Sequence, residues 1–431
     1  MISPAARPRR LRLPGGTAVP IGVLDSGLAS AGTFAAGLAA VRYLPLSVLG
    51  TYALAYAGFL LAANAPGFLV YTPAEVLAVA KAKGGGRLGV LPSSLRLGVP
   101  IGLLAAVLTG AGVVAVPSTT PVADRLALAV SLIGFAALSP AQDHLRRLLH
   151  AAERSWDACS TSAVRLGTIL GSLGGLAAAG RLHEPAVPFG VLTLATISSG
   201  AWALHRSHPR AQPTVHLTWA NAVSFGGLLV LGSMVQSAGG FLMTAVITAT
   251  SGAAAVAQVE AARLVSQPVT VVMIGLLPVL GPRIMASAAE GDRRSTRRQL
   301  RRTAVLFTGL TVTWMLILSA PGSGAAVGQI IPRAYDVRGL LQVMVAAQAL
   351  AYAVPIWRVV LLARRRPRPL LAVDFGTAAV GLLVVLPLRN EGPWALVIGV
   401  LVASMVSIVA LSTLSSAVLP RDDVGDRREV R

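Results

Sequence analysis

Long stretches of this sequence carry no charged side chain. Five of them, residues 43–74, 97–123, 211–259, 303–332 and 392–420, contain no Asp, Glu, Lys or Arg. An α-helix rises about 1.5 Å per residue, so about 20 apolar residues cross the roughly 30 Å hydrocarbon core of a bilayer. Each stretch is long enough for a crossing, and residues 211–259 must contain a turn. The sequence therefore predicts an all-α, polytopic membrane protein.

Apolar segments alternate with Pro, Gly and charged breaks along the whole chain. They predict twelve transmembrane helices, at residues 18–41, 46–70, 97–116, 126–142, 161–180, 187–204, 217–237, 255–284, 304–320, 339–362, 370–388 and 393–418. The polar segment 205–216 contains Pro209 and Pro213, which stop helices. We interpret it as a cytoplasmic linker between two six-helix bundles, residues 1–204 and 217–418. Residues 419–431 form a charged cytoplasmic tail.

Basic residues dominate the charge balance. The net charge is +20, although only 13% of residues are charged and 54% are hydrophobic. A basic chain attracts nucleic acid, but here the arginines cluster between apolar runs, which is typical of membrane topology. With the N-terminus in the cytoplasm, 29 of the 37 Lys and Arg residues fall on the cytoplasmic side and 6 outside. Because cytoplasmic loops accumulate basic residues, this distribution predicts a multi-pass cell-membrane protein with both termini in the cytoplasm. The basic loops would also contact anionic lipid headgroups.

Motifs of enzymes and cofactor sites are missing from the sequence. It contains no GxxxxGK[ST], HExxH or GxSxG pattern. A single cysteine, Cys159, and six scattered histidines provide no metal-ligand spacing. We therefore predict neither enzymatic activity nor a cofactor.

Four charged residues fall inside predicted helices, namely Asp25, Arg165, Glu260 and Arg263. A charge at bilayer depth costs at least about 2.5 kcal/mol and usually faces a partner or a cavity. Glu260 and Arg263 are three residues apart and share a helix face. They either line a substrate cavity or only neutralise each other, and Asp25 and Arg165 either line it or lie at the interface. Weaker candidates for the cavity lining are Asn64, Asn221, Gln236 and Gln258. We expect Asp374 at the solvated interface, and Gln342 and Gln348 in hydrogen bonds between helices.

Several segments resemble the polysaccharide (Wzx-type) flippases of the MOP superfamily, which includes the MATE exporters. They are SPAQDHLRRLLHAAER at Ser139–Arg154, SGAAAVAQVEAARL at Ser251–Leu264 followed by LPVLGPR and EGDR, and LGTYAL at Leu49–Leu54. The resemblance implies a MATE-like pair of bundles with a cavity between them and transport by alternating access. It further implies a lipid-linked oligosaccharide as the cargo, and Asp25, Glu260 and Arg263 as cavity residues.

Two other functions remain open at this point. One is a proton- or cation-coupled antiporter of drugs or small molecules, with Asp25 or Glu260 as the titrating group. The other is a non-transporting scaffold or membrane-enzyme subunit within a glycan-assembly system. The expected partners are the lipid-linked glycan, membrane lipids and glycan-assembly proteins, and not nucleic acid.

Overall fold

The computed structural model describes residues 18–81, 84–207, 215–321, 323, 327–328, 331–332, 339–364 and 367–418. All regular structure in these ranges is helical, as the sequence predicts. The α-helices are α1 (Ala18–Tyr43), α2 (Leu46–Pro66), α3 (Thr72–Lys81), α4 (Leu91–Ala115), α5 (Val122–Ala151), α6 (Ser155–Ala178), α7 (Val187–Arg206), α8 (Trp219–Thr250), α9 (Ala253–Ala289), α10 (Arg293–Ser319), α11 (Leu340–Ala363), α12 (Pro367–Leu388) and α13 (Pro393–Val418). The described residues also form a π-helical turn (Gly67–Tyr71) and two 3₁₀ segments (Gly84–Val90 and Arg389–Glu391).

Helices α2 and α3 form one rod. The backbone stays in the right-handed helical region through Pro66, Gly67 and Thr72, so the π turn joins the two helices without a break. Counted this way, the described residues contain twelve helical rods, and each contains one of the twelve predicted crossings.

Several helices extend beyond their predicted ends. Helix α5 continues through the polar segment after Gln142 as far as Ala151, because its polar residues pair with neighbouring helices. Helix α10 begins at Arg293, so the arginines predicted in a loop occupy its first turns. Asp292 caps this helix by accepting a hydrogen bond from the Ser295 amide at 2.8 Å.

Among the described residues, ten helical segments are long and apolar enough to cross a membrane. Helices α6 and α9 are not among them, and these two carry Arg165, Glu260 and Arg263. The protein is therefore a multi-pass membrane protein.

The helices pack mainly within each half of the chain. In the first half, α1 packs on α6, α4 and α7 pack on α5, and α6 packs on α7. In the second half, α11 packs on α9 and α13, and α12 packs on α8 and α13. Residues 1–17, 419–431 and most of the predicted linker, 208–214, lie outside the described residues. The domain boundaries therefore stay a prediction.

Helix α2 contacts both halves. It packs on α4 and α5 of its own half and on α8 and α9 of the other half, while α1 also packs on α9. Two glycines allow the close approach between the halves. A Cβ at Gly50 would overlap the carbonyl oxygen of Ala253, and one at Gly226 would lie 2.6 Å from the Phe68 oxygen. Only glycine fits at such backbone contacts.

Candidate substrate cavity

A cavity of about 320 Å³ lies where α2 meets the second half of the chain. Helices α2, α8, α9, α11 and α13 each contribute to its wall. Most of the wall is apolar, and the residues on it with polar groups are Tyr56, Gln236, Ser237, Thr244, Glu260, Arg263, Gln348 and Tyr352. This combination of an apolar wall with a few convergent polar groups is typical of small-molecule binding sites.

The charged centre of the cavity is an ion pair on α9. Arg263 donates to the two carboxylate oxygens of Glu260 through Nε at 2.8 Å and Nη2 at 2.6 Å. Its guanidinium also lies 4.6 Å from the ring centroid of Tyr56 on α2, a cation–π distance. Glu260 is almost fully buried, whereas about a fifth of the Arg263 side chain is exposed. The pair therefore offers a cavity ligand the guanidinium rather than the carboxylate.

A second ion pair lies behind the cavity wall. Arg358 on α11 donates to Asp374 on α12 at 2.7 Å and to the side-chain oxygen of Gln236 at 3.2 Å. Asp374 is buried, so the expectation of a solvated interfacial carboxylate was wrong. Its carboxylate fits against α8 because Gly232 has no side chain there. Gln236 connects this pair to the cavity.

Asn64 holds α2 against α8 next to the cavity. Its side-chain amide donates to the Ser237 hydroxyl at 2.5 Å and to the Ser233 carbonyl at 3.4 Å. Ser237 lines the cavity. Asn64 therefore acts at the contact between the halves, one residue removed from the cavity surface.

Asp25 lies in a separate buried cluster within the first half of the chain. It accepts hydrogen bonds from Arg146 at 3.0 Å and Ser162 at 2.5 Å, and His150 Nε2 lies 2.8 Å away. These contacts join α1 to α5 and α6. Arg165 is also buried in this half, where its Nη1 lies 3.4 Å from the side-chain oxygen of Gln142. Neither Asp25 nor Arg165 lines the cavity.

We expect Asp25→Asn to lower the melting temperature of the purified protein. The change leaves the Arg146 guanidinium facing a neutral amide, and breaking a buried ion pair costs about 3–5 kcal/mol. Asp143→Asn is the matched control, since Asp143 is more exposed and lies 3.5 Å from the same guanidinium. An exposed pair contributes about 0–1 kcal/mol. Equal melting temperatures for the two variants would show that the Asp25 cluster does not stabilise the bundle.

The two other predicted residues lie outside the cavity. Asn221 is exposed in the first turn of α8, where its backbone N–H donates to the Thr218 hydroxyl at 3.3 Å. Gln258 lines a different, more open polar pocket near the start of α9, together with Asn390 and Glu391. The structure thus brings Glu260, Arg263 and Gln236 together, with Asn64 next to them.

A separate apolar groove lies next to α9. Its volume is about 420 Å³, and its walls are formed by Phe34 of α1, Trp314 and Ile317 of α10, and Leu264 and Pro268 of α9. The Trp314 indole donates to the Val265 carbonyl at 3.2 Å and fixes one wall. Helix α9 therefore lines the cavity through Glu260 and Arg263 and the groove through Leu264 and Pro268.

Comparison with known proteins identifies the fold. No family model matches the chain, and no curated protein matches it. Among solved structures, an inward-facing multidrug-resistance MATE transporter of the MOP superfamily aligns over 94% of this chain and 97% of its own, with a TM-score of 0.64 and 14% identity. The outward-facing form gives a TM-score of 0.63 over 94% and 97%, also at 14% identity.

A MOP superfamily transporter from Pyrococcus furiosus, for which a reversed polarity of the binding pocket suggests a different function, also aligns. It covers 94% of this chain and 98% of its own, with a TM-score of 0.66 and 13% identity. The fold is that of the MATE transporters. The proteins that share it are transporters and not enzymes.

Within this MATE fold, sequence reasoning missed several cavity residues. Tyr56, Ser237, Gln348 and Tyr352 all line the cavity, although we expected Gln348 only to join helices. The spacing of Tyr52, Tyr56 and Phe59 on one side of a predicted crossing was the available signal for Tyr56. Among the described residues, no group of three His, Cys, Asp or Glu side chains could hold a metal ion.

Proposed function

We propose that this protein is an alternating-access transporter that moves a lipid-linked oligosaccharide across the cytoplasmic membrane. The observation that carries the proposal is that α9 lines both a polar, charged cavity and a separate apolar groove. An amphipathic cargo needs both surfaces at once.

The polar cavity suits the head of such a cargo. Gln236, Ser237 and Gln348 supply amide and hydroxyl groups of the kind that pair with sugar hydroxyls. Arg263 offers donors toward a negatively charged linkage, and the Tyr56 ring and Glu260 hold its guanidinium in place. A partly neutralised arginine favours a cargo with modest negative charge over a highly charged one.

The groove suits the lipid tail. Its described walls are almost entirely apolar, and Phe34 belongs to the first half of the chain whereas Leu264, Trp314 and Ile317 belong to the second. A tail held there lies between the two halves, so relative movement of the halves would act on the cargo. The shared fold with inward-facing and outward-facing MATE structures supports such a movement. The distribution of basic residues supports the further proposal that both termini lie in the cytoplasm.

The alternative function is a proton- or cation-coupled antiporter of drugs or small molecules. It is favoured by the likeness to multidrug-resistance MATE structures and by two buried carboxylates, Glu260 in the cavity and Asp25 in the first half. An antiporter of water-soluble compounds would use the cavity and not the apolar groove. The two functions therefore predict different effects of a polar substitution in the groove: it impairs transport by the flippase but not by the antiporter.

We expect depletion of the protein to reduce surface glycan and to cause lipid-linked precursor to accumulate. Wild-type protein restores both, whereas Ile317→Asn restores them poorly, because its amide places a polar group in the groove that holds the tail. Leu316→Asn is the matched control. Leu316 neighbours Ile317 and is 66% exposed, but it lies outside the groove.

Unchanged surface glycan with no precursor accumulation would contradict the flippase proposal. If depletion instead sensitises cells to water-soluble drugs, and Ile317→Asn and Leu316→Asn both complement it, the antiporter is the better account. Levels of each variant in membranes are measured by immunoblot, so that loss of protein is not read as loss of transport.

A further inference from the structure

The first three turns of α10 present a row of exposed arginines. These are Arg294, Arg297, Arg298, Arg301 and Arg302, which we call the α10 arginine face. No acidic side chain of the described residues forms an ion pair with any of them. The opposite side of the helix is buried through Thr296, Leu300 and Thr303. The arginines thus project from a helix that is held in place by its other face.

The helix surface changes abruptly after Arg302. Val305, Leu306, Val312 and Leu316 follow and are between 48% and 66% exposed. Large apolar side chains with this exposure on a membrane-crossing helix face lipid tails. Residues 304–320 span about 25 Å at 1.5 Å per residue, close to the thickness of the hydrocarbon core. The arginine face therefore lies at headgroup level, in line with the lipid-facing surface.

We propose that the α10 arginine face binds the phosphate headgroups of anionic phospholipids. The argument rests on charge complementarity and on continuity with the lipid-facing side of the same helix. Clusters of four to eight basic residues next to a membrane span attract anionic lipid, each contributing about 1 kcal/mol. Arginine also forms paired hydrogen bonds to phosphate oxygens. The arginine face thus holds a lipid annulus at this helix, in addition to its part in the distribution of basic residues.

The test uses full-length protein and a matched pair of double variants. Arg297→Gln/Arg301→Gln removes two charges from one side of the arginine face, and Arg96→Gln/Arg368→Gln removes two exposed charges from other helices. Each protein is immobilised in detergent, and the binding of phosphatidylglycerol and phosphatidylcholine is measured. We expect the α10 double variant to bind phosphatidylglycerol about 30-fold more weakly than wild type, since about 1 kcal/mol per arginine corresponds to about fivefold each.

Four outcomes would overturn the proposal. One is equal loss of phosphatidylglycerol binding in both double variants, which would indicate a general effect of charge. Another is equal affinity of the wild-type protein for phosphatidylcholine and phosphatidylglycerol. The third is displacement of phosphatidylglycerol by inorganic phosphate at constant ionic strength, which would identify a site for soluble phosphate. Wild-type binding by the α10 double variant would overturn it as well.

Discussion

Replacing Arg263 by alanine is expected to abolish transport and to lower the melting temperature. The change leaves the buried Glu260 carboxylate without its two hydrogen bonds at 2.6 and 2.8 Å. Removing one partner of a buried ion pair costs about 3–5 kcal/mol. It also removes the guanidinium that lies over the Tyr56 ring, between α2 and α9. The measurements are precursor translocation in the depleted strain and thermal unfolding of the purified variant.

Two further variants separate stability from transport. Glu260→Gln/Arg263→Gln removes both charges, so no buried charge is left unpaired, and we expect its melting temperature to return toward wild type. Arg263→Lys keeps the charge but loses the two-pronged hydrogen bonding and the flat contact with Tyr56. We expect both variants to transport poorly. Wild-type transport by the double glutamine variant would show that the pair serves only to hold α9 in place.

Gly50→Ala is expected to produce the second large effect. The new Cβ would overlap the Ala253 carbonyl oxygen, a backbone atom that cannot yield unless the start of α9 shifts. Overpacking of this kind costs about 1–3 kcal/mol, occasionally more. Because Gly50 and Ala253 belong to different halves of the chain, we expect both the melting temperature and the transport rate to fall.

Gly167→Ala is the control for this change. Gly167 also lies within a helix, but no atom lies within 4 Å of an added Cβ. There alanine should be neutral or slightly stabilising, because glycine is the poorer helix former by about 1 kcal/mol. A Gly50→Ala protein that melts and transports like the Gly167→Ala protein would refute the close packing of α2 on α9.

The number and order of the helices could be predicted because the bilayer restricts them so strongly. Each crossing needs a predominantly apolar segment of a minimum length, and that requirement can be seen in the sequence without knowing any long-range contact. The ends of α5 and α10 were predicted poorly for the same reason. Their polar turns, such as those with Arg146 and Arg294, remain helical outside the apolar region, where hydropathy gives no signal.

The site could be predicted only in part. Glu260 and Arg263 pair within one helix, so their spacing of three residues was sufficient. Asp25 pairs with Arg146 and His150, which are more than a hundred residues away in sequence. This pairing depends on how α1 packs against α5. The burial of Asp374 also depends on a long-range contact, because its carboxylate packs against Gly232 of α8. Charge placement alone does not distinguish a cavity wall from a buried structural pair.

The π turn at Gly67–Tyr71 has a mechanical consequence for the helix that both halves share. Such a turn is an extra residue within an α-helical ladder, and it interrupts the usual pattern of hydrogen bonds. If the turn moves along the rod, each residue that it passes rotates by about 100° and advances by about 1.5 Å. The α2–α3 rod can therefore change which side chains it presents to α8 without breaking the helix. The motion is a rotation and translation along the helix axis and not a bend.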